Sequence, residues 1–313
     1  MSKTITLPRL IDCHVHFREP GLTHKATMAS EAASAWAGGV GTVCEMPNTI
    51  PATTSIAALA DKIRRVEIAK SEKRMPKDFD MHFFFGATEM AHIFALHEML
   101  AGSSEELQRL KAQCCGLKLY FDHSTGNQKA SEEVIEEAFQ LCAKHNFPIV
   151  GHCEDAQMNS EARKANSEDG DISLHSKNRP AKSEEKAIEH VIKLMEKYPA
   201  AFHIAHLSTK LGLELVRKAK RKNLPITCEV APHHLFLTVD DYQSLGTLAK
   251  MNPPLRSHED QEALWEGIAD GTVDCISTDH APHTLSEKTE THGSPLEAPS
   301  GVPGVETMLP LLL

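Results

Sequence analysis

Short apolar runs rich in β-branched residues alternate along the chain with longer stretches whose apolar positions recur every three or four residues. The first kind suits a strand buried on both faces and the second an amphipathic helix. Their alternation marks consecutive βα units joined into a parallel sheet. Strands are predicted near Arg9–Phe17, Val40–Pro47, Asp80–Ala87, Gly116–Phe121, Pro148–Cys153, Ala201–Leu207, Pro225–Val230 and Val273–Thr278. Helices are predicted between them, among them Ser131–His145, Ser183–Tyr198, Thr209–Lys222 and His258–Ala269, the last opened by a capping box of Ser257 and Asp260. Eight strands counted this way predict an α/β protein with a closed, TIM-like (β/α)8 barrel over residues 1–313; a doubly wound open sheet is the alternative. Two long polar stretches, Glu161–Lys182 and Thr284–Gly304, read as functional or mobile loops. An eighth helix opens near Val305 and its apolar run Leu309–Leu313 stops abruptly, so the sequence reads as a barrel truncated in its last helix, a fragment of a longer protein.

Composition narrows the classes. The 313 residues are 41% apolar and 24% charged, enough for one large domain. No run of about 18 apolar residues occurs that could span a bilayer, and Met1–Thr4 leads into Leu7–Ile11 without the features of a signal peptide. Eight cysteines without zinc-finger spacing indicate no disulfide framework, so a reducing cytoplasm is the expected location. A net charge of −10 with no basic run argues against nucleic acid and anionic membranes, leaving a small molecule as the expected partner. An anionic one would need a local basic pocket. The 19 histidines gain meaning only from where they stand.

Asp12-Cys13-His14-Val15-His16-Phe17-Arg18 ends the first strand. Histidines at i and i+2 of a strand share a face, so both imidazoles can reach one cation; a polar strand end with two incidental histidines is the alternative. Lys118 lies within the otherwise apolar strand Gly116–Phe121. Burial would lower its pKa, and a neutral amine can take up CO2 to become a carbamate with two metal-bridging oxygens; a lysine snorkelling from the strand end is the alternative. His152, His206 and Asp279 end strands five, six and eight. In a (β/α)8 barrel those ends converge on the catalytic face. The inventory suits two zinc ions, the first held by His14, His16 and Asp279, the second by His152 and His206, with carboxylated Lys118 between them. Asp279 is then placed as general base and acid. Cys13 and Cys153 should face away from their histidine neighbours by strand alternation and are expected, with Cys228, as small core residues.

These residues resemble the amidohydrolase superfamily and, within it, the dihydroorotases. The resemblance runs along nearly the whole chain and is carried by Asp12–Gly21, Met46-Pro47-Asn48-Thr49, Glu229-Val230-Ala231-Pro232-His233-His234, Asn252-Pro253-Pro254-Leu255-Arg256 and Thr278-Asp279-His280-Ala281-Pro282-His283. It implies reversible cyclisation of N-carbamoyl-L-aspartate to L-dihydroorotate, a step of pyrimidine synthesis. It also implies that Arg18, Asn48 and His283 hold the substrate carboxylate while Asn252 and the backbone at Ser300-Gly301 hold the ring. An arginine beside the metals is a charge-assisted fork for a carboxylate; a structural ion pair is the alternative. Allantoinases and hydantoinases, the nearest alternatives in activity, lack that arginine. An inactive barrel serving as a scaffold is a third reading, and a homodimer or an association with another enzyme of pyrimidine synthesis is left open. Some members of the family bridge their metals with an aspartate a few residues after the lysine position, where this chain has Asp122. The segment Asp122–Asn127 would then be a substrate lid hinged at Gly126, or a plain surface loop.

Overall fold

Three consecutive phenylalanines show the layering of the molecule, described here from a computed structural model. Phe83 and Phe85 pack into the large core shared by strands and helices, whereas Phe84 joins Met46, Val150 and Ala205 in a smaller cluster inside the barrel. Successive side chains of a strand point to opposite faces, so one strand feeds both layers. The structure describes residues 6–122, 128–166, 171–291 and 293–313.

The strands are β1 (Leu10–Val15), β2 (Val40–Glu45), β3 (Asp80–Gly86), β4 (Cys114–Tyr120), β5 (Ile149–His152), β6 (Phe202–Ile204), β7 (Ile226–Val230) and β8 (Cys275–Ile276). All neighbours are parallel and follow chain order from β1 to β8. The ring closes just past β8, where His280 bridges Val15 and its carbonyl accepts from the His16 N–H at 2.7 Å. This is the (β/α)8 barrel that the strand count predicts. Helices fill the outer layer, including Glu132–His145, Ala181–Lys197, Lys210–Arg221 and His258–Ala269. Side chains cap three of these N-termini, with Ser131 accepting from Val134, Thr209 from Gly212, and Ser257 and Asp260 forming the expected capping box, while Ala181–Lys197 follows Pro180 without a side-chain cap.

Two features depart from expectation. The long polar stretches are not plain loops. Glu161–Lys182 continues a helix over Ala156–Ala165 and adds a turn at Leu174–Asn178, while Thr284–Gly304 holds a helix at Leu285–Thr289 and a 3-10 turn at Pro295–Glu297. Their few apolar side chains anchor them: Ile172 is buried with Met251 and Leu255, and Leu296 and Val302 pack against the same cluster. The second departure lies in β1. Asp12 pairs with Val43 but Val15 with Glu45, so β1 spends one residue more than β2 over this interval, a β-bulge. A bulge reverses the alternation locally, and Cys13 consequently meets Glu229, Cys275 and Ser277 within the barrel instead of packing among the helices. Cys153 and Cys228 do belong to the main core. The lid expectation concerns residues 123–127, which lie outside the described residues. Among the described residues, no helix is long and apolar enough to cross a membrane.

Candidate metal centre and substrate site

The C-terminal ends of the strands surround a small cavity lined by His14, His16, Arg18, Asn48, Lys118, Tyr120, His152, His206, Asn252, Asp279, Ser300 and Gly301. Residues far apart in the chain meet here because every strand points its C-terminal end at the same face.

The imidazoles are oriented from behind. His14 Nδ1 lies 2.5 Å from Glu229 Oε1, His16 Nδ1 lies 2.6 Å from Asn48 Oδ1, and His152 Nε2 lies 2.7 Å from Glu154 Oε2. Each oxygen accepts from the ring N–H that faces it, which leaves the other ring nitrogen with its lone pair toward the cavity. His14 Nε2 and His16 Nε2 stand 3.2 and 3.0 Å from Asp279 Oδ1. His152 Nδ1 faces His206 Nε2 at 3.0 Å. Lys118 is 1% exposed, and its Nζ has no hydrogen-bond partner among the described residues.

Electrostatics follow from burial and neighbours. Desolvation brings Lys118 down to about 8 and His16 to about 4, so both favour their neutral, lone-pair form more than in water. Asp279 is also buried, yet His14 and His16 outweigh that penalty and hold its carboxyl well below the usual range. Glu154 is held at about 2 against its burial by Arg179, His152 and Arg256. Desolvation pushes the Tyr120 phenol up, which keeps its hydroxyl protonated at the cavity wall.

Backbone conformation adds a second signature. Arg18, His206 and Asp279 take φ of 67°, 36° and 47°, in the left-handed region that costs a non-glycine residue about 1–3 kcal/mol. All three line the cavity, and the barrel holds them there by packing and hydrogen bonds. The Arg18 Nε–H donates to the Pro282 carbonyl at 2.9 Å, which fixes the guanidinium while leaving most of its donors free. Gly301 sits at φ +136°, and a Cβ there would lie 2.7 Å from the Ala281 carbonyl oxygen, so the chain passes close to the cavity only because no side chain intervenes.

The residues singled out in the sequence take distinct places. His14, His16, Lys118, His152, His206 and Asp279 share the cavity with Arg18, Asn48, Asn252, Ser300 and Gly301. His283 does not line it. Its Nδ1 accepts from Lys25 Nζ at 2.9 Å and its Nε2–H donates to the Ser300 carbonyl at 3.1 Å, which holds the ring outside the cavity beside Arg18. Asp122 is bound to Arg179 Nη1 at 2.9 Å and Asn159 Nδ2 at 2.7 Å. Glu229, Glu154 and Tyr120 were not foreseen as site residues. Glu229 carried a signal, an acidic side chain in the interior of an otherwise apolar strand.

A parallel barrel with histidines, a buried lysine and an aspartate at its strand ends defines a class of metal-dependent barrel hydrolases. The amidohydrolase family pattern matches residues 5–308, and a dihydroorotase of Bacillus cereus is 37% identical over 315 residues, covering 100% of this chain and 68% of that protein. The chain belongs to the amidohydrolase family. The dihydroorotases of Methanosarcina mazei and Methanosarcina acetivorans are 38% and 39% identical over 99% of this chain, and the chain spans 65% and 63% of their lengths, just under two thirds. Among solved structures, the L-hydantoinase (dihydropyrimidinase) of Arthrobacter aurescens superposes with a TM-score of 0.83 at 25% identity, over 97% of this chain and 65% of that one. A dihydropyrimidinase of Brevibacillus agri superposes at 0.77 with 19% identity, a likeness of fold.

Proposed function

We propose that the chain is a dihydroorotase, a zinc-dependent cyclic amide hydrolase interconverting L-dihydroorotate and N-carbamoyl-L-aspartate in pyrimidine synthesis in the cytoplasm. The observation that supports it best is the sharing of one small cavity by metal-competent side chains and the buried cation of Arg18. The donor set fits the metals. Three imidazoles present oriented lone pairs, and a buried Nζ with no hydrogen-bond partner among the described residues is costly unless something engages it. His14, His16 and Asp279 would hold one zinc ion and His152 and His206 another, with Lys118 as its N-carboxylated form between the two. Zinc bound there would supply a Lewis acid for a carbonyl oxygen and acidify water.

The chain's own groups do the rest. Asp279, strongly acidic in this setting, is deprotonated at neutral pH; its carboxylate takes the proton of the attacking water and delivers it to the ring nitrogen that leaves. Arg18 offers a charge-assisted fork to a carboxylate on the ring. The Asn48 amide oxygen is engaged by His16, which leaves its nitrogen to donate, and Asn252, Ser300 and Gly301 border the ring. A neutral hydantoin ring makes no use of the arginine, and this favours the acidic substrate over those of the structurally similar hydantoinases.

The test assays ring opening of dihydroorotate, hydantoin and allantoin by the metal-loaded protein, with zinc content measured on the same sample. Dihydroorotate should be turned over with the highest kcat/KM. Preference for hydantoin or allantoin would assign the protein to those activities instead, and zinc-replete protein inert on all three would make the barrel a scaffold. The oligomeric state, and any association with another enzyme of the pathway, is read from the same preparation.

A further inference from the structure

Beneath the mouth, the bulge in β1 creates a second group of donors, of which only Glu229 also serves the centre above. Cys13 Sγ lies 3.8 Å from Cys275 Sγ and 3.3 Å from Glu229 Oε2, and the same Oε2 lies 3.2 Å from His203 Nε2. These four donor atoms, from β1, β6, β7 and β8, all fall within 4.8 Å of one another. A tetrahedral zinc site with Zn–S near 2.3 Å and Zn–N or Zn–O near 2.0–2.2 Å has ligand–ligand edges of roughly 3.3–3.8 Å. Three edges of this group are therefore already close to the length a bound ion requires.

The geometry points to a second metal site in the barrel interior, formed by Cys13, Cys275, His203 and Glu229, that takes a borderline-soft divalent cation of the zinc type. Two thiols, an imidazole and a carboxylate are a zinc-type donor set, unlike the nitrogen and oxygen donors of the mouth. The surroundings are those of a built site. Thr227 Oγ1 lies 2.8 Å from His203 Nδ1 and can accept its proton, which fixes the ring with Nε2 toward Glu229 and the thiols, where a bound cation would take the place of the proton that Nε2 now donates to Glu229 Oε2. The way in is from the opposite end of the barrel: Ile11 there is 66% exposed, and Cys13, Cys275 and His203 are only half-buried. Glu229 links the two centres, since its Oε1 meets His14 while its Oε2 faces Cys13 and His203. An ion held below would thus draw on the carboxylate that orients a histidine above.

The experiment strips the full chain with a chelator and titrates it with cobalt(II), a probe whose thiolate complexes absorb strongly in the near ultraviolet. The wild type should develop that thiolate-to-cobalt band to saturation and bind one ion more than the Cys13→Ser/Cys275→Ser variant, which should lose the band and keep the ions of the mouth. Absence of the band in the wild type, or its persistence in the variant, would overturn the site. A second measurement needs no substitution: labelling of Cys13 and Cys275 by a thiol reagent, followed by mass spectrometry, with and without zinc. With zinc about tenfold above its Kd, labelling should slow about tenfold; equal rates would overturn the site even where the variant fails to fold. Neither readout involves turnover, so the outcome stands apart from that of the dihydroorotase assay.

Discussion

Glu229 Oε1 accepts from His14 Nδ1 at 2.5 Å and from the His206 backbone N–H at 3.0 Å. One oxygen of β7 therefore fixes the tautomer of an imidazole on β1 and the backbone of a residue that follows β6, at a position where φ is 36°. Carboxylates behind metal-facing histidines typically contribute 10–100-fold in metal affinity. Glu229→Gln keeps the shape and removes the charge, so the affinity of the mouth for zinc should fall roughly 10-fold or more. Competition against a chromophoric chelator measures this. Affinity equal to that of the wild type would show that His14 is oriented without help from the carboxylate.

Lys118 ties activity to instability. Its Nζ is buried and has no hydrogen-bond partner among the described residues, and desolvation lowers it to about 8. Lys118→Met replaces the amine with an apolar chain of similar length. Metal-stripped protein should then gain about 1–3 kcal/mol of stability, because an unsatisfied buried polar group is removed. The same substitution should reduce bound zinc and abolish ring opening. Denaturant unfolding of the stripped protein and metal analysis check both halves. A less stable variant would mean that the amine is already compensated, and substantial turnover would remove Lys118 from the bridging role.

How much of this was legible in the sequence depended on the kind of physics involved. Strand ends could be read because periodicity marks β-strands and a parallel barrel sends every C-terminal end to one face, so His152, His206 and Asp279 could be brought together without coordinates. The position of Cys13 could not, because strict alternation places it outside, and the bulge at Asp12–Val15 becomes visible only once β1 is paired with β2. Glu229 escaped for another reason: it acts through His14, far away in sequence and on another strand, whereas Glu154 stands two residues beyond His152 and escaped because strand position alone does not show that its carboxylate turns back to that ring. The helices within Glu161–Lys182 and Thr284–Gly304 were hidden by polar composition, their anchoring resting on single residues such as Ile172, Leu296 and Val302.

Arg18 is the residue proposed to select an acidic ring. It is 3% exposed, held by the Pro282 carbonyl, and it lines the cavity. A hydrogen bond to a charged group contributes about 1.5–3 kcal/mol, so Arg18→Gln should lower kcat/KM for dihydroorotate roughly 10- to 100-fold. Activity on a neutral cyclic amide should change far less. Steady-state kinetics on both rings gives the ratio. A parallel loss on both would show that the arginine supports the fold of the mouth and does not select an acidic ring.

His175 sets an acid limit on stability away from the metals. It is buried, and its Nε2–H donates to the Met251 carbonyl at 2.9 Å. Burial first, then the charges of Lys250 and Arg179, bring it from 6.5 to about 3. Between those values the unfolded chain binds a proton that the folded chain refuses, so stability is unaffected above the upper value and declines as pH falls through the window. His175→Gln retains an N–H donor and cannot titrate. The stability of wild type minus variant, from urea unfolding of metal-stripped protein, should therefore fall by on the order of 1.4 kcal/mol per pH unit once the solution is well below the ordinary histidine value. The difference removes every other titrating group common to both proteins, so a flat line from neutral pH to about pH 4 would show that His175 is as easily protonated in the folded chain as in the unfolded one.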